Sequence, residues 1–434
     1  LTSNIGNSYW FWVEPYVHIA LEGDALLLYN TLSGEKLEYF NRPGVIRLAR
    51  KLIRKKNLRV IKLTGKQLTD PSIGPFTADV KTHFMGDMED VSRSARKPVQ
   101  LTPVQNIQAD VRKVKKGMAA RGKNILTYLS EITFYINNYS SSGPDIHSHS
   151  SSYLFKQYLF PLFETGVPAA ELEPACIGRL LDEIRVSDLK MINIVGGNIF
   201  EHSQFSQIIS LLNEVPVVKA YHILLRDVVG NLDIPAPIIP ITDNLTLIRL
   251  HVTFPLGAGE MEIISRMAQT LENVTFVFAV GSEIELEQCE DIVSRLNLSN
   301  IMLQPYYNRR NVRFLKENVF ISRESILEAD PGQKEILTRM SVNKNYFGKL
   351  TVLSNGAIHS DLNAPAVGNA GKDSIHEAIY RELFSGKSWR RVRTGVLPCK
   401  KCLYNLLCPP LSNYETHIGR NNLCSISDHM KMKN

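Results

Sequence analysis

CKKCLYNLLCPPLSNYETHIGRNNLC, residues 399–424, holds four of the six cysteines of this 434-residue chain. Cys399, Cys402, Cys408 and Cys424 are separated by two, five and fifteen residues. Two thiolates two residues apart share one tight turn, so both sulfurs can face one metal ion or two corners of a cluster. A third ligand soon after and a fourth on a returning loop close the coordination sphere. Pro409-Pro410 keeps the backbone after Cys408 out of helix, as a ligand loop requires. Four cysteines suit a structural zinc ion as well as an iron–sulfur cluster, and spacing alone leaves both open. The other two, Cys176 and Cys289, stand alone in helical patterns and are expected to be small buried apolar side chains.

Working outward, a chain of this length exceeds one ordinary core, so two or three domains are expected. Apolar residues make up 44% and charged residues 21%, the composition of a globular protein. No apolar run is long enough to span a membrane, so no membrane partner is expected. The opening LTSNIGNSYWFWVEP lacks a basic patch followed by an apolar stretch, and the expected location is cytoplasmic. The net charge of +7 has two local sources, 49–59 (ARKLIRKKNLR) and 112–124 (RKVKKGMAARGKN). Neither interleaves aromatic residues as a single-strand binder would, so they read as a solvated helix face and a basic linker. No nucleic-acid partner is expected.

Three sections differ in their periodicity. VHIAL (17–21), ALLLYN (25–30) and KLEYF (36–40) predict a three-stranded meander with turns at Glu22-Gly23-Asp24 and Ser33-Gly34. Helical spacing follows from Pro43, and a second helical stretch is expected to put Phe76, Val80, Phe84 and Met85 on one face. From 125 to about 325, strand candidates 132–137, 191–195, 220–225, 247–253, 274–280 and 301–303 alternate with helical patterns at 151–163, 169–186, 203–214, 259–271 and 283–296. Such alternation predicts a parallel sheet with crossover helices. Last, KLTVLSNGAIHS (349–360) reads as a hairpin turning at Asn355-Gly356, followed by a helix over 374–385 and the cysteine segment.

That final run, from LTVLSNGAIHS to the last cysteine, resembles the SPASM domain of radical SAM peptide-modifying enzymes. The resemblance implies that Cys399, Cys402, Cys408 and Cys424 hold one auxiliary [4Fe–4S] cluster, with zinc as the alternative. The second cluster usual to such domains is not implied, because its positions fall on Asp361 and Ser412. In the middle section, MINIVGGNIFEH resembles the radical SAM strand whose Gly-Gly-Glu-Pro end lies against the methionine part of SAM. Gly196 and Gly197 are kept, while Asn198 and Ile199 replace the Glu and Pro. The Cys-x3-Cys-x2-Cys motif that binds the SAM-cleaving cluster has no counterpart in ITFYINNYSSSGPDIHSHSSSYLF, where serines stand instead of thiolates. SAM is therefore not an expected cofactor, and no catalytic residue is assigned. Asp145, His147 and His149 in that loop read as polar surface residues.

The first section resembles the RiPP recognition element, which captures leader peptides of ribosomal natural products by adding them to a strand edge. By that resemblance a peptide lies along Lys36, Leu37, Glu38, Tyr39 and Phe40, against the helix that carries Val80 and Phe84. Together the three likenesses resemble the pseudo-radical-SAM/SPASM proteins of Bacteroidales RiPP maturation systems. The expected fold is α/β multidomain. It comprises a winged-helix-like β/α domain over 9–95, a basic linker over 96–124, a degenerate partial (β/α)6 barrel over 125–330 and a SPASM-like cluster domain over 331–434. The implied function is that of a non-catalytic partner of a precursor peptide and a cognate radical SAM/SPASM enzyme. An enzyme with other chemistry in the barrel, built around residues such as Arg249, His251 and Tyr306, and a zinc-stabilised scaffold are the alternatives.

Overall fold

A computed structural model describes residues 7–94, 96–103, 107, 111–112, 125–138, 151–161, 168–228 and 245–426. The described residues form a mixed α/β fold with one large, mostly parallel sheet and two small antiparallel ones. The loop bearing Asp145, His147 and His149 and most of the basic run 112–124 lie outside the described residues. Among the described residues, no helix is long and apolar enough to cross a membrane.

The predicted meander forms at the expected place. Strands β2 (Val17–Glu22), β3 (Ala25–Asn30) and β4 (Lys36–Phe40) pair antiparallel in that order. Gly23, at a φ of +57°, supplies the left-handed turn between β2 and β3. A second small sheet, absent from the sequence reading, sets β1 (Ser8–Val13) between β5 (Val60–Thr64) and β6 (Gly86–Asp90). Its strands are short and flanked by charged or polar residues, so their alternation was masked. Helix α1 (Pro43–Leu52) begins with proline, whose missing N–H costs nothing at that position. It buries Val45, Ile46, Leu48, Ala49 and Leu52 against Phe11, Val13 and α2 (Ile73–Thr82).

The expected helical face of Phe76, Val80, Phe84 and Met85 is corrected. Helix α2 ends at Thr82, and Phe84 adopts a φ of +53° that turns its ring out to 78% exposure. Phe76, Val80 and Met85 are fully buried.

Six parallel strands then run in sequence order: β7 (Glu131–Tyr135), β8 (Met191–Val195), β9 (Val218–Leu224), β10 (Thr246–Val252), β11 (Val274–Val280) and β12 (Ile301–Pro305). Between them lie α3 (Ser151–Gln157), α4 (Pro174–Ile184), α5 (Phe205–Asn213), α6 (Ala258–Thr270) and α7 (Glu283–Leu296). One sheet face packs on the crossover helices, with Ile194, Ile223 and Leu250 meeting Leu180, Ile208 and Ile264 in one core. Neighbouring strand residues turn to the opposite face because the side-chain period of a strand is two.

The hairpin over 349–360 also forms, as β13 (Lys349–Val352) and β14 (Ala357–His359), with Gly356 at a φ of +82° in the turn. Strand β13 pairs parallel to β7, with Lys349 opposite Glu131, and β14 pairs with β15 (Gly368–Asn369), so the sheet has nine strands. Helix α9 (Ile375–Ser385) packs in the core of this extended sheet, whereas helix α8 (Gln333–Ser341) and the cysteine segment pack on Leu27 and Tyr29 of β3 through Ile336, Leu403 and Leu407. Ser374 and Glu377 close a capping box at the start of α9, within one residue of the predicted boundary.

Candidate metal centre and strand edge

The four cysteines of residues 399–424 converge. Cys399, Cys402, Cys408 and Cys424 line one cavity of about 40 Å³ with Arg393, Pro398 and Ile321. A single water needs roughly 10–15 Å³ of such space, so the cavity admits a group of several atoms. The turn Cys399–Lys401 brings the Cys402 N–H to the Cys399 carbonyl at 2.9 Å, and the Cys408 N–H meets the Tyr404 carbonyl at 3.1 Å. Cys424 returns from the far side through a parallel bridge to Ile321, fixed by Ile321 N–H to Leu423 O at 3.0 Å. None of the four is in a disulfide.

The surroundings suit soft anionic ligands. Arg393 is 7% exposed and donates to Cys399 Sγ at 3.4 Å. Its guanidinium also meets the buried Glu415 carboxylate at 2.9 Å, and it donates to the Pro409 carbonyl, so it is fixed in place. Burial pushes the Cys408 thiol up to about 12 and the Cys402 thiol up to about 11, while Arg393 pulls both the other way. Neighbouring thiols raise one another further. A bound cation or cluster would relieve this arrangement, because thiolates form readily against positive charge. Among the described residues no three Cys, His, Asp or Glu side chains close on a single ion. Four thiols around one cavity are the donor set that structural zinc ions and iron–sulfur clusters share. Arg393 and Glu415 carry no motif spacing relative to the cysteines, and nothing in the sequence singles them out.

The isolated pair behaves as two different cases. Cys289 is 1% exposed, as expected, whereas Cys176 is only half-buried, with its Sγ 3.6 Å from the Ala370 carbonyl.

Strand β4, the expected peptide edge, lies beside the cysteine segment. Asn30 donates to the Glu35 carbonyl at one end of its pairing with β3, and Asn41 donates to the Asp24 carbonyl at the other. Antiparallel alternation then points the backbone groups of Lys36, Glu38 and Phe40 outward. Among the described residues those groups make no hydrogen bond. Leu37 and Tyr39 face inward, with Tyr39 edge-on to Phe76 at 5.2 Å and donating to Asp79 at 2.7 Å. Lys36 pairs with Asp330 at 2.7 Å, and Glu38 accepts from both Arg323 and Tyr404. Val80 is fully buried and so supports the strand from beneath. Phe40 and Phe84 are exposed at 50% and 78%.

The Gly196-Gly197 turn, expected at the end of β8, is packed against Asn137. Asn137 Oδ1 accepts from Gly197 N–H at 2.9 Å, and its Nδ2 donates to the Asn198 carbonyl at 2.6 Å. A Cβ on Gly196 would lie 2.3 Å from Asn137 Oδ1, so glycine is required there by close approach. The sheet face opposite the crossover helices is filled by residues of α3 and the turn after it. Phe155 packs edge-on to Tyr135 at 5.3 Å, and Phe160 packs edge-on to His251 at 5.3 Å. Gln157 locks the segment by bonding both backbone groups of Tyr307 at 2.7 Å.

Below Phe160 lies a polar chain that the sequence did not show as a unit. Asn193 donates to Glu131 at 2.9 Å and accepts from His222 Nε2 at 3.3 Å. His222 Nδ1 is then an acceptor, 2.9 Å from His251 Nε2, which donates. Among the described residues His251 Nδ1 has no partner. Burial, with Arg249 adding to it, lowers His251 to about 3, and His222 is also lowered, by burial, His251 and Arg249. Both rings are therefore neutral. Tyr306 donates to Glu285 at 3.4 Å. The two histidines lie in adjacent strands 29 residues apart, a spacing without a local signal.

No protein-family model matches the chain, and no curated protein matches it. Among solved structures, SuiB of Streptococcus suis bound to precursor peptide SuiA aligns over 95% of this chain and 97% of that chain, at 12% identity and a TM-score of 0.48. SuiB bound to S-adenosylmethionine aligns over the same shares at 12% identity and 0.47. SuiB without these molecules named aligns over 95% and 100%, at 12% identity and 0.48. A likeness this distant assigns no function.

Proposed function

We propose that this protein is a non-catalytic, peptide-handling partner in RiPP maturation. It binds a precursor peptide along the outer edge of β4 and associates with a radical SAM/SPASM enzyme that performs the chemistry. The observation that carries this reading is the contrast between its two candidate centres. The four cysteines surround one cavity with a buried arginine, whereas the barrel face carries Phe155 and Phe160 where a cosubstrate would need room. Strand β4 supports the peptide assignment, because it offers unpaired backbone groups beside the half-exposed Phe40.

Cys399, Cys402, Cys408 and Cys424 would hold one [4Fe–4S] cluster, with Arg393 offsetting its negative charge. When bound, such a cluster cross-links the C-terminal segment and can accept or pass one electron. Iron and acid-labile sulfide are measured on anaerobically purified protein, together with the binding of a labelled precursor peptide and of the partner enzyme. Four irons and four sulfides per chain, with binding weakened by Phe40→Pro, are expected. Zinc in place of iron supports the scaffold alternative, and SAM turnover by the chain alone sinks the non-catalytic reading.

A further inference from the structure

We propose that the outer edge of β2, with the groove beside it, docks an extended segment of a protein partner that alternates apolar and acidic residues. This edge is separated from β4 by β3, so the proposal is independent of the peptide assignment above.

Backbone geometry comes first. Thr31 N–H reaches the Tyr16 carbonyl at 3.3 Å, which sets the alternation of the β2–β3 ladder. Val17, Ile19 and Leu21 consequently point their backbone groups away from β3. Val17 is satisfied locally, by the Glu14 carbonyl and the Arg59 guanidinium, whereas the outward backbone groups of Ile19 and Leu21 have no hydrogen-bond partner among the described residues. An unpaired edge of this kind accepts an added strand.

The groove beside this edge supplies the walls. A cavity of about 670 Å³ opens between β2, the end of α1, residues 100–103 and α8. Ile53, Leu58, Leu101 and Met340 line it and remain 49%, 39%, 70% and 51% exposed. Burying these side chains against a partner is favourable at roughly 25 cal/mol per Å² of apolar surface. Alternate side chains of an added strand would face this wall.

Charge selects the occupant. Lys51, Arg54, Lys55 and Lys56 are exposed at the end of α1 and just beyond it, and none has an ion pair among the described residues. Arg54 and Lys55 themselves line the groove. An acidic segment complements this rim, while a basic one is repelled. The exposed wall residues Ile53, Leu58, Leu101 and Met340 are not aromatic. Of the two rings that line the groove, Tyr16 and His18, the first is tied by its hydroxyl to the Phe84 carbonyl. Apolar side chains of a peptide therefore fit the wall better than stacked bases.

The test uses the full chain and a fluorescein-labelled ten-residue peptide alternating Val and Glu, read by anisotropy. A Val/Lys peptide and a Gly/Glu peptide are compared with it. The Val/Glu peptide is expected to bind at least tenfold more tightly than either. Ile19→Pro removes an outward N–H and leaves the β2–β3 ladder intact, so it should weaken binding at least tenfold. The exposed pair Arg54→Glu and Lys55→Glu should do the same without affecting folding, and Phe40→Pro on the other edge should change nothing. Equal binding of the Gly/Glu peptide, or full displacement by heparin, would make the rim a general polyanion surface and overturn the proposal. So would absence of Val/Glu binding, or loss on Phe40→Pro with Ile19→Pro unaffected.

Discussion

The phenol of Tyr404 donates a hydrogen bond to the carboxylate of Glu38, joining the loop between Cys402 and Cys408 to strand β4 across 366 residues of sequence. Arg323 donates to the same carboxylate, and its guanidinium lies 5.8 Å from the Tyr404 ring centre. Burial and the Glu38 hydrogen bond push Tyr404 up to about 12, which keeps the phenol protonated as the donor. Two candidate sites thus share one polar joint.

Tyr404→Phe removes the donor and leaves the packing. A hydrogen bond to a charged group contributes about 1.5–3 kcal/mol, and partial exposure of this one places the loss at the lower end. Urea unfolding should show that loss, while the iron content per chain stays constant. A fall in iron content would mean that the joint also shapes the cysteine loop.

Replacing one of the four clustered cysteines should remove the bound metal. Cys408→Ser is expected to bring iron and labile sulfide down to background and to lower the melting temperature by several degrees. Cys289→Ser serves as the control, since its thiol is buried in the core beneath the large sheet and does not line the cavity. Retention of full metal content by Cys408→Ser would remove that residue from the ligand set.

Gly196→Ala should destabilise the chain by about 1–3 kcal/mol, because its methyl group would meet Asn137 Oδ1 at 2.3 Å. Combining it with Asn137→Ala should recover part of the steric loss but not the two hydrogen bonds that Asn137 makes to the Gly197 N–H and the Asn198 carbonyl. Thermal unfolding of the single and double variants separates these terms.

Stability should fall on the acid side through the histidine pair. His222 and His251 are held neutral in the fold, with His251 lowered to about 3, while an unfolded histidine titrates near 6.5. Above pH 6.5 both states are neutral and the stability is fully present. As the pH falls from 6.5 toward 3 the unfolded chain gains protons that the fold refuses, so stability drops by at most about 1.4 kcal/mol per pH unit for each ring. Urea midpoints between pH 7 and 4 check this, and His251→Gln should flatten the slope.

Much of the fold was legible in the sequence wherever one element carries its own period. The meander at 17–40, strands β8 and β11, helix α7 and the Asn355-Gly356 hairpin lie where alternation, helical spacing and turn residues put them. The sheet β5-β1-β6 was missed because Val60–Thr64 and Gly86–Asp90 mix apolar and charged residues over only five positions each. Phe84 was misplaced because helical spacing continues past Thr82 in the sequence, while the backbone turns left-handed at Phe84 itself. The hairpin lies where it was read, while its pairing with β7 joins residues 218 apart and leaves no local signal.

The sequence by itself determined the four-cysteine set, the run of six parallel strands and the absence of thiolates from the loop after the first of them. These are properties of residue type and local spacing, and the backbone realises them one element at a time. Only the tertiary structure decided what surrounds the cysteines. Arg393 reaches the cavity and is held there by Glu415, Tyr404 reaches Glu38, and Phe160 covers His251. It also decided that Gly196 serves a close approach of Asn137. Those relations depend on how separately formed elements pack, a step in which buried polar groups must find partners wherever the fold brings them.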